Sequence, residues 1–201
     1  MGRYLGPKHK LCRREGIPLC GNPKCPVTRN PNPPGQHGPK GRRRMSSYGE
    51  QLREKQKAKR IFGLLEKQFR RYVSEAQKKK GKTGEALLTL LETRLDNVIY
   101  RLGFVPSRRM SRQLVSHNHV LIDQKKVNIP SYNLTVGQTI TLSPKALAIG
   151  TVKKTIEATK NESLPSWLEK KGAVGRVKNM PGRDEMEQNI NEQLIVEYYS
   201  R

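Results

Sequence analysis

Three cysteines, Cys12, Cys20 and Cys25, stand near the start of the chain, and none follows them. An odd number cannot pair fully, and the opening Met1-Gly2-Arg3-Tyr4-Leu5-Gly6 lacks the apolar core of a secretory signal. Thiols in that setting read better as metal ligands than as disulfides. A second constellation is Ser107-Arg108-Arg109-Met110-Ser111-Arg112. Its spacing predicts a short helix with three arginines in its first turns, Arg108 and Arg112 sharing a face and Arg109 one position round. Free N–H groups at a helix start bind phosphate, and guanidinium forks add to them. The bland alternative is a solvated basic helix. His117-Asn118-His119 invites a nuclease reading, but three adjacent residues cannot by themselves build a metal site, and no acidic cluster lies nearby. The chain has no nucleophile elbow, P-loop or Rossmann glycine fingerprint. No enzyme and no small-molecule substrate are therefore expected.

Across 201 residues, 40 Lys and Arg face 17 Asp and Glu, a formal net charge of +23. Such an excess repels itself unless a polyanion neutralises it, so nucleic acid is the expected partner, with an anionic membrane a distant second. No apolar stretch approaches the ~20 residues of a spanning helix. The charge is front-loaded: eleven bases against the single acid Glu15 in residues 1–46, twelve against four in 47–84, and ten against eight in 144–201. The near-neutral end is expected to pack on protein.

These residues need elements to position them. Residues 1–46, centred on Arg29-Asn30-Pro31-Asn32-Pro33-Pro34-Gly35-Gln36-His37-Gly38, read as an extended arm that cannot bury a core of its own. Ser47-Tyr48-Gly49-Glu50 fits a capping box. Ile61, Leu65, Phe69 and Val73 follow at helical spacing, with Arg53, Lys57, Arg60, Lys67, Arg70 and Arg71 on the other faces. A second helix is predicted after Thr83, with Leu87, Leu91, Leu95, Val98 and Leu102 as its buried stripe and Gly103 as its stop. The Ser107 helix should end near Ser116, with Asn118 left-handed after it. His119–Ile122, Lys126–Ile129 and Thr139–Leu142 read as strands, residues 150–163 as helix, and 193–199 as a closing strand.

Glu92-Thr93-Arg94-Leu95-Asp96-Asn97-Val98-Ile99-Tyr100-Arg101-Leu102-Gly103-Phe104, then Ser107-Arg108-Arg109, Arg112 to His117 and Val127 to Tyr132 resemble the RNA-binding domain named after protein four of the small ribosomal subunit. That domain also occurs in RNA-modifying enzymes. The flanks Met1 to Pro7, Cys12 to Gly16, Pro34 to Gly38, Leu52 to Lys57 and Asn191 to Ser200 resemble the bacterial-type ribosomal protein family itself, in order over nearly the whole chain. The resemblance implies an α+β fold: an arm at 1–46, a helical domain at 47–91 completed by 144–201, and an inserted RNA-binding domain of short helices and strands at 92–143. It implies a structural protein that binds small-subunit ribosomal RNA and nucleates assembly. It also implies contacts with small-subunit protein five, at an interface tied to translational accuracy, and with messenger RNA at the entry channel. A cytoplasmic ribosome is implied, and an organellar one fits equally. The expected RNA contacts are Arg3, Lys8, Arg13, Arg14, Lys40, Arg42, Arg43, Arg44, Arg53, Lys57, Arg60, Arg70, Arg71, Arg108, Arg109, Arg112, Lys125 and Lys126. One departure stands out: the family has Asn-Gly at the hairpin turn where this chain has Asp123-Gln124, which predicts a longer or a strained turn.

Some members of that family hold a metal on four cysteines near the start, and the first of those positions matches His9 here. His9-x2-Cys12 and Cys20-x4-Cys25 are short chelating pairs, and mixed thiolate and imidazole donors suit tetrahedral Zn²⁺. An iron–sulfur cluster is the lesser metal reading, since it takes His less often. The contrary reading is a decayed site with leftover thiols and an RNA-facing His9. Two other functions compete with the ribosomal one, an RNA-modifying enzyme or its accessory module and a metal-dependent regulator. The first lacks a catalytic domain, and the second rests on the metal site alone.

Overall fold

The computed structural model describes residues 4–21, 24–40, 44–159 and 164–200. The fold is mixed helix and small antiparallel sheet, in two compact units: residues 1–87 with 189–201, and residues 88–188. Among the described residues, no helix is long and apolar enough to cross a membrane.

In the first unit, α1 (Lys8–Glu15) ends at Gly16, whose left-handed backbone (φ 78°) turns its N–H back to the Cys12 carbonyl. Single 3-10 turns follow at Pro26–Thr28 and Gly38–Lys40. The cap of α2 (Ser47–Ile61) is Ser46, one residue before the expected Ser47; its hydroxyl accepts from the Gly49 N–H at 3.2 Å. The stripe from Ile61 to Val73 does not run through one helix. Gly63, at φ 63°, donates to the Arg60 carbonyl and Leu64 to that of Lys59, the paired bonds that close a helix. The chain restarts as α3 (Glu66–Lys78), and Leu65, placed in the stripe by its spacing, is a 40% exposed cap instead.

A larger correction falls on the closing segment, which is helix α9 (Glu192–Tyr199) and no strand. Asn191 caps it by accepting from Gln193 and Leu194. Tertiary contacts on α2 and α3 decide the period. Gln51 donates to Glu197 at 2.9 Å, Lys55 lies 4.6 Å over the Tyr198 ring, and the Tyr199 hydroxyl donates to Glu66 at 2.9 Å. Burial would raise the Glu66 pKa, but hydrogen bonds from Lys55, Lys59 and Tyr199 overcome it and hold the carboxyl at about 2.

The expected second helix is also two. α4 (Thr83–Glu92) and α5 (Leu95–Arg101) are parted at Thr93-Arg94, although Leu87, Leu91, Leu95, Val98 and Leu102 are all fully buried. The break is made by residues 130–134. Leu95 and Asp96 donate to the Tyr132 and Pro130 carbonyls, and Leu134 donates to Thr93. The first N–H groups of α5, which no helix can satisfy internally, thus find partners. Of the strand expected at 126–129 only Lys126 is in one, β2 being Lys125–Lys126.

The rest of the second unit comprises α6 (Arg108–Ser116), β1 (Val120–Ile122), β3 (Thr139–Leu142), α7 (Pro144–Leu147), α8 (Gly150–Ala158), β4 (Leu168–Lys171) and β5 (Val174–Val177). Ser107 caps α6 through the Met110 N–H, and Asn118 follows at φ 60°, both as the spacing predicts. The sheet order is β2-β1-β3-β5-β4, antiparallel throughout. The hairpin β4–β5 lies where the sequence carries no predicted strand. It joins the sheet through Ile140 opposite Gly175, so the segment beginning at residue 144 divides: one part lies in the second unit and residues 189–201 in the first. A Cβ at Gly175 would meet Leu102 Cδ1 at 2.4 Å, so a larger residue in the strand would force the buried Leu102 side chain to shift.

Candidate metal centre and nucleic-acid interface

His9 and Cys12, three apart, lie on one face of α1, and the turn around Cys25 comes up against them. The donor atoms of His9, Cys12, Cys20 and Cys25 all lie within 4.8 Å of one another. Tetrahedral zinc, with S at ~2.3 Å and N at ~2.0 Å, would set such donors ~3.5–3.8 Å apart. Cys25 Sγ is already 3.7 Å from His9 Nδ1. Cys12 and Cys25 are each 1% exposed, packed with Val27 and Leu19. Burial, then the neighbouring Cys20 and Cys25, pushes the Cys12 thiol up to about 12. A dication is what would reverse that penalty and favour the thiolates. Among the described residues, this is the one cluster of three or more His, Cys, Asp or Glu side chains able to hold an ion. His117 and His119, their rings 6.3 Å apart, gather no third ligand among the described residues.

In the first unit, the structure sorts the basic residues into two groups. Arg13 donates to the carbonyls of Asn32 and Pro33, at 2.9 and 3.1 Å, and pins the Pro-rich loop. Glu15, its side chain 3% exposed, pairs with Arg53 and Arg60 of α2. Burial raises the Glu15 pKa, opposed by Arg60 and Arg53. Lys57 pairs with Glu54 at 2.7 Å. Lys8, Arg14, Lys40, Arg44, Arg70 and Arg71 are exposed, as are Lys67 and Lys78 on α3. Arg3, Arg42 and Arg43 lie outside the described residues.

In the second unit, α6 turns two of its three arginines inward. Arg108 donates to Asn97 at 2.7 Å and Glu187 at 3.0 Å, and lies 4.6 Å over the Tyr100 ring. Arg112, 8% exposed, stands 3.7 Å from Asp96. Arg109 faces outward, and Lys125 and Lys126 are exposed at the β1–β2 hairpin. Beneath α6 is a polar set that periodicity does not reveal. Arg94, fully buried, grips Asp96 with two bonds of 3.0 and 2.7 Å, and Arg101 holds the 1% exposed Glu92 at 2.7 Å. Arg94 and Asp96 are two apart and would diverge on a continuous helix. Only the break at Thr93-Arg94 lets them meet.

Residues 3–92 match the model for the ribosomal protein S4/S9 N-terminal domain, and residues 93–140 match that for the S4 domain. The chain belongs to the ribosomal protein S4 family. Along its whole length, and theirs, it is 51% identical to small ribosomal subunit protein uS4 of Dictyoglomus turgidum and 47% to that of Thermus thermophilus. Identity to the Geobacter sulfurreducens protein is 50%, again end to end. The boundary between the two matched domains falls at the break between α4 and α5.

Proposed function

We infer that the chain is a structural protein of the small ribosomal subunit that binds its ribosomal RNA and catalyses no reaction. The observation that carries this reading is end-to-end likeness to uS4 proteins, with the S4 domain intact. The exposed bases Lys8, Arg14, Lys40, Arg44, Arg70, Arg71, Arg109, Lys125 and Lys126 supply phosphate contacts. Arg13, Arg53, Lys57, Arg60, Arg108 and Arg112 are engaged within the chain and hold that surface in shape. Family resemblance supports the further partners, small-subunit protein five and messenger RNA passing Lys40 and Arg42–Arg44, with a role in assembly and accuracy.

The same reading includes one zinc ion on His9, Cys12, Cys20 and Cys25. The donors fit in number, type and spacing, and a mixed imidazole and thiolate set suits zinc better than an iron–sulfur cluster. The ion would tie α1 to the turns after it and close an arm with little core of its own.

The deciding measurement is affinity for a small-subunit ribosomal RNA fragment from the 5′ domain across a salt series. Binding should weaken steeply with salt, as counterions released from phosphates require, and should exceed binding to unrelated duplex RNA. A flat salt dependence, or no preference for the ribosomal fragment, would refute the assignment.

A further inference from the structure

We propose that His9 has two functions: its Nδ1 faces the metal site, and its Nε2–H donates to an RNA phosphate. This rests on the zinc and RNA readings above and assigns the outward nitrogen a ligand of its own. The 3.7 Å approach to Cys25 Sγ is made by Nδ1. The two ring nitrogens point away from each other, so Nε2 lies on the far side of the ring from Cys25. A metal-ligating imidazole almost always gives its second N–H to a carboxylate, carbonyl or water, which fixes ring and tautomer. Among the described residues, the contact with Cys25 is His9's one hydrogen-bonding partner. The arm's one acid, Glu15, is buried and committed to Arg53 and Arg60. The neighbours of His9 along α1 are the exposed cations Lys8 and Lys10. A cationic setting around an N–H donor selects an anionic acceptor, and phosphate is the anion that RNA presents.

Charge supports the same assignment. Zinc with three thiolates and a neutral imidazole carries one net negative charge, whereas four thiolates would carry two. His9 therefore halves the negative charge that the loaded site shows to RNA and adds a donor.

The test uses the full-length protein and His9→Cys, each loaded with zinc, metal content being read by mass spectrometry. Both should hold about one equivalent. His9→Cys should bind the 5′-domain RNA fragment about tenfold more weakly, having lost a hydrogen bond to a charged group. Equal affinity with equal zinc would overturn the proposal while leaving the zinc and RNA readings intact. If wild type held no zinc, or did not bind the fragment, those earlier readings would fail and this one with them. A second measurement does not depend on the variant's folding. In long-range proton–nitrogen spectra of the zinc-loaded wild type, Nε2–H should exchange more slowly with solvent once RNA is added. Exchange unchanged by saturating RNA would equally overturn the proposal.

Discussion

At the scale of single residues, the Asp123-Gln124 turn shows how a departure from pattern is accommodated. The hairpin is neither lengthened nor opened. Ile122 pairs with Lys125 across two residues, both with positive φ, 46° and 67°. Asp tolerates this region, and Asp123 Oδ1 also accepts from the Thr139 N–H and hydroxyl at 2.9 and 3.1 Å. Gln124 has no such help, and the strain falls on it, ~1 kcal/mol. Gln124→Gly should remove that strain while adding unfolded-state entropy, for a net gain of about 0.5 kcal/mol. Thermal unfolding should shift upward by about 1–2 °C, and a lower midpoint would show the turn to be unstrained.

At the scale of elements, α6 places residues three apart in different surroundings. Arg112 is buried against Asp96, which Arg94 also grips, and Arg109 is exposed. Arg112→Gln should destabilise the protein by about 2 kcal/mol, since it strips a buried carboxylate of one of its two cations. Arg109→Gln should leave stability within about 0.5 kcal/mol, weaken RNA binding, and lower the salt slope by about one. Denaturant midpoints and salt titrations on the two variants separate these effects. An Arg109→Gln protein that bound RNA with unchanged affinity and slope would remove this residue from the interface.

At the scale of the whole molecule, the second unit and the arm differ in how much apolar core each holds. The second unit is built on a continuous apolar cluster from Leu95 to Val177. The arm's own cluster is Cys12, Cys25 and Val27 with Leu19 and Cys20 against it. An eight-residue helix such as α1 is marginal alone in water. Stripping zinc with a chelator should therefore expose the arm to protease while helical circular dichroism stays largely unchanged. Loss of most helical signal would mean that the metal supports the body as well.

Local patterns in the sequence determined much of this protein. Leucines every third and fourth residue predict buried helical faces, Ser107 and Asn118 mark the ends of α6, and His9, Cys12, Cys20 and Cys25 mark the candidate metal site. These signals are legible because each depends on neighbours a few residues away. Tertiary structure alone decided the rest. The segment 193–199 alternates like a strand, yet contacts with Gln51, Lys55 and Glu66, more than a hundred residues away in sequence, make it α9. The leucine stripe is unbroken in sequence, yet the carbonyls of Pro130 and Tyr132 part α4 from α5. Arg108, Arg109 and Arg112 look alike as a run of bases, and only the position of Asp96 and Glu187 in space separates the two that turn inward from the one that is exposed. Periodicity records which face a residue occupies, whereas long-range hydrogen bonds and buried charge depend on what the folded chain brings opposite that face.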